Sequence, residues 1–289
     1  MMKKNVLAMG LALTMALGLT ACGGSSDGSA SSGAASGSAS QSDASAPTPA
    51  VDKLVMGTSA DYPPFEFHIL DNGEDKIVGI DVALGQQIAE DMGAEFEVTH
   101  MEFDNLFQLL NQGMCDVVIA ALEEKPERLE NADCSDGYYS DLPPVIITKA
   151  GNETQYTSLE DFSGKLVGAQ MSTTKADIVT NDMTGAEPLL MSSVVDLVNN
   201  LVYDKCDALV LDGAVAEKYL AANSDLAKVD IDMGEAAEPY RVWVAKGDPK
   251  GLLPSINETI AKVTEGGSDS LMTQYIETAN EQSAQALEG

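Results

Sequence analysis

The sequence predicts an α/β protein of two similar lobes joined by two crossings. Three observations carry that prediction. Strand-like and helix-like patterns alternate along the chain, as they do around mostly parallel, buried sheets. One helix–strand unit occurs twice: Leu106-x3-Leu110-x4-Cys115-Asp116-Val117-Val118-Ile119 returns as Leu197-x3-Leu201-x4-Cys206-Asp207-Ala208-Leu209-Val210. Two extended segments, Pro143 to Lys149 and Tyr240 to Lys246, each follow one copy of the unit. The chain therefore goes out to a second lobe and returns. Its 289 residues, 44% of them apolar, suffice for one large domain or two ordinary ones.

The elements follow in order. Lys3 and Lys4 precede an apolar run from Val6 to Leu19, which has the length of a secretory h-region and is too short to span a bilayer. The run ends in Leu19-Thr20-Ala21-Cys22, a match to the bacterial lipoprotein lipobox. Residues 1–21 are then a signal peptide, and Cys22 is the lipidated residue that holds the protein on the outer face of the cytoplasmic membrane. Residues 22–50 are almost wholly Ser, Gly, Ala, Asp and Pro, a disordered tether that reaches on the order of 30 Å. Leu54 to Thr58 reads as a buried strand. Asp81 caps a helix through Met92, with Val82, Leu84, Ile88 and Met92 on one face and Gly93 closing it. Phe96 to His100 alternates as a strand. Asp104 caps a helix from Asn105 to Gln112, and Cys115 to Ala121 is a continuous apolar strand. In the second lobe, the strand Ala208 to Leu211 feeds a helix from Gly213 to Ala222. The C-terminal helices, Leu253 to Thr264 and Asp269 to Ala279, fold back on the first lobe. The lobes thus divide as 51–142 with 240–289, and 143–239, and a cleft between them is where a small ligand belongs.

Composition excludes several functions. With 16 Lys+Arg against 46 Asp+Glu, the net charge is −30. Nucleic-acid binding needs a basic face to displace counterions, and a peripheral grip on anionic lipid needs one too. The 5% aromatic content and single Trp argue against an aromatic-rich β-sandwich. Apart from Cys22, the cysteines are Cys115, Cys134 and Cys206, and the histidines are His68 and His100. No spacing among them suits a metal. The three thiols read as small buried hydrophobes, with a Cys115–Cys134 disulfide as the alternative that export would permit.

The motifs resemble one family. Gly57-Thr58-Ser59-Ala60-Asp61-Tyr62-Pro63-Pro64-Phe65-Glu66-Phe67 is followed by Val78-Gly79-Ile80-Asp81, Pro126-Glu127-Arg128 and Asp133-Cys134-Ser135-Asp136-Gly137-Tyr138-Tyr139. Gly164-Lys165-Leu166-Val167-Gly168, Ser172-Thr173-Thr174 and Cys206-Asp207-Ala208 leading to Asp212 complete the series. In this order they resemble the extracellular solute-binding proteins of ABC transporters, polar amino-acid type, in lipoprotein form, over Val51 to about Ile276. The resemblance implies two flavodoxin-like lobes joined by two hinge crossings, a periplasmic-binding-protein type II-like fold. It also implies a probable monomer without cofactor or catalytic residue, whose partners are a small zwitterionic or cationic ligand and ABC permease subunits.

Carried over by position, the resemblance places Tyr62 and Phe103 as aromatics around the ligand. Arg128 falls where the ligand α-carboxylate is held, Asp212 where the α-ammonium is held. Thr173 and Thr174 open a helix toward the carboxylate, and Ser59, Ala120 and Gln170 match further pocket positions. Other readings stand beside these: core aromatics for Tyr62 and Phe103, and plain helix capping for Thr173, Thr174 and Asp212. Glu123 departs from the pattern, standing where a Ser or Thr is usual, and Lys125 replaces a usual Thr. With Asp212 opposite, Glu123 makes the pocket more negative than that of its relatives: either it pairs with Arg128 and the site favours cationic or polar ligands, or it swings to solvent and the site behaves like theirs. Two rival functions share the fold. One is an extracytoplasmic lyase resembling cyclohexadienyl dehydratase, with Glu123 and Asp212 as acid and base; the other is a surface amino-acid sensor.

Overall fold

The computed structural model describes residues 51–234 and 238–287. The signal peptide, Cys22 and the tether read from residues 1–50 lie outside them. The outward run begins with β1 (Lys53–Thr58) and a small three-stranded sheet of β2 (Asp61–Tyr62), β3 (Glu66–Asp71) and β4 (Glu74–Val78). It continues through α1 (Ile80–Met92), β5 (Glu95–His100), α2 (Leu106–Asn111) and β6 (Val117–Val118), then α3 (Pro126–Asn131) and β7 (Ala132–Tyr139). The second lobe holds β8 (Val145–Lys149), β9 (Leu166–Gln170), α4 (Thr174–Asp177) and β10 (Glu187–Met191), then α5 (Val194–Val202), β11 (Ala208–Leu211), α6 (Gly213–Ala222) and β12 (Leu226–Lys228). The return is β13 (Tyr240–Ala245), α7 (Leu253–Thr264) and α8 (Leu271–Leu287).

Two five-stranded sheets repeat one plan: β5-β1-β6-β13-β7 and β10-β9-β11-β8-β12. In each, the first three strands are parallel and the fourth and fifth pair antiparallel. The repeated sequence unit supplies the central strand of each sheet, β6 and β11. Every residue of both is buried, which is why the unit reads as an apolar run without alternation. The fourth strand of each sheet is a crossing segment, β13 in the first and β8 in the second, so each crossing is knitted into a sheet as it arrives.

The local details correct several expectations. Asp81 does not cap α1. Gly79 is the N-cap, at φ 130, and a Cβ there would stand 2.1 Å from the Phe65 carbonyl oxygen, so only glycine fits. Asp81 instead lies in the first turn, fully buried, and accepts from the Ala121 N–H (2.7 Å) and the Tyr138 hydroxyl (2.7 Å). Gly93 closes α1 in the left-handed conformation as foreseen, its N–H reaching the Ala89 and Glu90 carbonyls. Asp104 lies inside a short 3-10 turn, Phe103–Asn105, and accepts from the Ser192 hydroxyl; α2 starts only at Leu106. The Cys115–Ala121 run pairs as a strand only over Val117–Val118, and the chain bends at Ala121, which takes φ 47. Cys115, Cys134 and Cys206 are all free, which removes the disulfide alternative.

Candidate functional site

The chain turns sharply after a strand in each lobe, and these turns face each other. Beyond β6, the Asp81 carboxylate holds the N–H of Ala121 and so fixes the bend that delivers Glu123. Beyond β9, Ser172 takes φ 65 and starts the turn into α4. Such conformations cost about 1–3 kcal/mol each in a non-glycine residue and persist only where their surroundings impose them.

Seven residues from the two turns and their neighbours form one network, most of it buried. Arg128, at 7% exposure, donates from Nη1 to the Glu123 carbonyl (2.5 Å) and to Glu123 Oε2 (3.3 Å). Its Nη2 crosses to the Ser172 carbonyl of the second lobe (3.1 Å). The Thr174 hydroxyl donates to Glu123 Oε1, and Lys175 Nζ donates to the same oxygen (3.0 Å). Lys175 also lies 2.7 Å from Asp212 Oδ1, while the Tyr62 hydroxyl donates to Asp212 Oδ2. Lys125 pairs across the cleft with Asp177 (2.6 Å). Asp212 is the N-cap residue of α6 but makes no side-chain cap bond, so its carboxylate is left to face the cleft.

The charges in this network tune one another. Burial alone would raise the Glu123 carboxyl, but the cations Lys175 and Arg128, with the Thr174 hydroxyl, hold it well below the usual carboxylate range. Burial alone would lower the Lys175 amine, and Asp212 and Glu123 hold it above its ordinary value instead. The Tyr62 hydroxyl is pushed well up by burial and by the Asp212 charge, so it remains a donor. Asp141 lies near the first crossing and accepts from the Tyr240 hydroxyl of the second (2.7 Å) and from the Leu142 (2.6 Å) and Ala214 (3.2 Å) N–H groups. Burial and the charge of Asp212 raise it to about 6.

Beneath the network lies a second buried acid pair. Glu66 sits against Asp81, and Glu66 Oε2 has no partner among the described residues. Burial, with the Asp81 charge next, pushes Glu66 well above its ordinary value, while burial raises Asp81 to about 6. Groups whose folded pKa is raised contribute stability below the unfolded pKa, and that contribution is lost as pH rises through the folded one. Thermal stability is therefore expected to fall as pH rises from the ordinary carboxylate range through about 6, where Asp81 ionises, and further as Glu66 ionises above it. In Glu66→Gln, whose amide can still donate to Asp81, the part of that loss due to Glu66 should vanish in a melting series across pH. An unchanged slope would mean that Glu66 is ionised in the folded protein.

The sequence-predicted residues divide. Tyr62, Glu123, Arg128, Thr174 and Asp212 meet in the network. Thr173 does not: its hydroxyl caps α4 by accepting from the Ala176 N–H and donates to the Gln170 carbonyl. Phe103 and Ala120 pack in the core cluster with Trp243, Phe103 also lining a recess of about 490 Å³ beside Arg128 and Phe107. Gln170 is turned away and donates to the Ser192 carbonyl (2.8 Å). Ser59 lines a separate recess with Asp61 and His100. Glu123 does pair with Arg128, but the inference that the pocket is thereby more negative fails, since Lys175 pairs with Glu123 and Asp212 alike. Lys175 was missed. Its signal was a lysine directly after Thr173-Thr174, in the first turn of a helix, where backbone N–H groups already disfavour a cation.

With this geometry in hand, comparison with known proteins is decisive. The sequence profile of the bacterial extracellular solute-binding proteins, family 3, matches residues 54–278. The chain belongs to that family. The arginine-binding extracellular protein ArtP of Bacillus subtilis is 32% identical over 268 residues, covering 92% of this chain and 94% of that protein. The L-cystine-binding protein TcyJ of Escherichia coli is 27% identical over 218 residues, covering 74% and 79%. Among solved structures, the amino-acid ABC transporter substrate-binding protein AbpA of Streptococcus pneumoniae, bound to L-arginine, aligns with a TM-score of 0.75 at 28% identity, covering 81% of this chain and 96% of that one. The two-lobed type II fold is thus established, and the family is one of binding proteins, not of lyases. No helix among the described residues is long and apolar enough to cross a membrane.

Proposed function

We propose that this family 3 protein captures an amino acid in the cleft between its lobes and hands it to an ABC permease, while Cys22 anchors it to the outer face of the cytoplasmic membrane. The observation that carries this reading is the network itself. Arg128 and Asp212, a cation and a carboxylate from opposite lobes, are buried within one cluster, as a ligand with both a carboxylate and an ammonium requires. The lobes divide as 51–142 with 240–289, and 143–239.

L-arginine is the first ligand to test. Its support comes from the arginine-binding protein ArtP and from AbpA, whose structure holds L-arginine. Purified protein, unfolded, dialysed and refolded, should bind L-arginine in a calorimetric panel of the common L-amino acids. Mass spectrometry of the compound released on unfolding should find the same ligand. Absence of binding by every amino acid would refute the reading. For the anchor, Cys22→Ser should abolish incorporation of labelled fatty acid and release the protein from membranes; retention of the label would refute it.

A further inference from the structure

The buried cation Lys175 has no part in the site as the sequence reads it, and it stands where a ligand ammonium would. We infer that Lys175 is a displaceable counter-ion that makes the cleft select ligands carrying an ammonium group, an inference that rests on the reading of the cleft as an amino-acid site.

Its two contacts reach two carboxylates, one from each lobe. Toward Glu123, Lys175 makes an aligned hydrogen bond at 3.0 Å. Toward Asp212, the ammonium lies 2.7 Å from Oδ1, which has no other polar partner among the described residues. Tyr62 serves only the other oxygen, Oδ2. Lys175 therefore supplies Asp212 with both its counter-charge and its Oδ1 contact. An ammonium on a ligand, with three donors and free placement, can supply both.

Displacement costs Lys175 little, because it keeps Glu123 as a partner. Glu123 in turn keeps Thr174 and Arg128. A compound without an ammonium cannot make the exchange, and it meets a cleft still bridged by Lys175. Selectivity of this sort arises from an obstacle to the wrong ligand as much as from attraction to the right one. The obstacle also taxes the right ligand: if Lys175 holds Asp212 nine-tenths of the time, apparent affinity falls about tenfold.

The test compares Lys175→Gln with the parent protein. The probes are the L-amino acid that binds best in the panel and its des-amino counterpart; for arginine these are L-arginine and δ-guanidinovalerate. In the variant, affinity for the amino acid should rise about tenfold or more, while affinity for the des-amino compound falls, since Asp212 then stays buried without any cation. Should that variant fail to fold, Glu123→Gln with Lys175→Gln removes one charge of each sign and carries the same comparison. Equal weakening of both compounds would overturn the inference and make Lys175 a tie between lobes. Failure of the parent protein to bind any amino acid would overturn the underlying reading and the inference together.

Discussion

Arg128→Ala is expected to weaken ligand binding by about 2–5 kcal/mol, the cost of truncating one member of a buried, hydrogen-bonded charge pair. At about 1.4 kcal/mol per decade, the dissociation constant rises roughly thirtyfold to several thousandfold. Two losses add. The ligand carboxylate loses its guanidinium, and the first lobe loses its bond to the Ser172 carbonyl of the second. Arg128→Lys separates them, because an ammonium keeps the charge but cannot reproduce the planar fork that reaches both Glu123 and Ser172. The lysine variant should fall between parent and alanine. Calorimetry that finds Arg128→Ala within threefold of the parent would remove Arg128 from the site.

Trp243→Ala should cost about 3–5 kcal/mol of folding stability, as large-to-small changes of buried aromatics do. The side chain is wholly buried in β13, and its ring meets the Phe107 ring edge-on at 5.2 Å between centroids. Its Nε1–H donates to the Leu122 carbonyl at 3.2 Å, one residue before Glu123. The tryptophan thus supports the turn that presents Glu123 as well as the core. Trp243→Phe, which retains much of the bulk and loses the hydrogen bond, should cost about 1–3 kcal/mol in a urea titration followed by circular dichroism. Fluorescence will not serve, since this is the only tryptophan of the chain. If alanine and phenylalanine variants unfold at the same urea concentration, the packing argument is wrong.

Much of this fold was legible because it rests on patterns that survive burial. The twice-occurring helix–strand unit announced the two central strands, and the two extended crossings announced the fourth strand of each sheet. The hairpin of β3 and β4 was equally legible in Asn72-Gly73, whose φ values of 53 and 85 suit the tight turn that this pair favours, and it was passed over. The length of β6 was not legible. Apolar character runs on through Ala121, and the bend there is held by the Ala121 N–H donating to a distant carboxylate, Asp81, that no local pattern encodes. In the site, Arg128 and Asp212 were found by their places in motifs. Lys175 was not, because its importance depends on a cluster assembled from both lobes, and a lone lysine in sequence is ordinarily a solvated one.

The bond between Tyr240 and Asp141 ties the outgoing chain to the returning chain close to where each passes between the sheets. Two straps pinned to each other in this way resist sliding and shear but still permit a swing about the line through the pin. One angle then describes how the halves are disposed. Were the halves to swing about that line, contacts as far apart in sequence as Lys125 with Asp177 and Asp61 with the Val194 N–H would break together. A molecule geared like this has few half-shut forms to offer. With such a swing the outer surface would change along with the cleft, and a permease touching both halves would meet a different face on a loaded carrier than on an empty one.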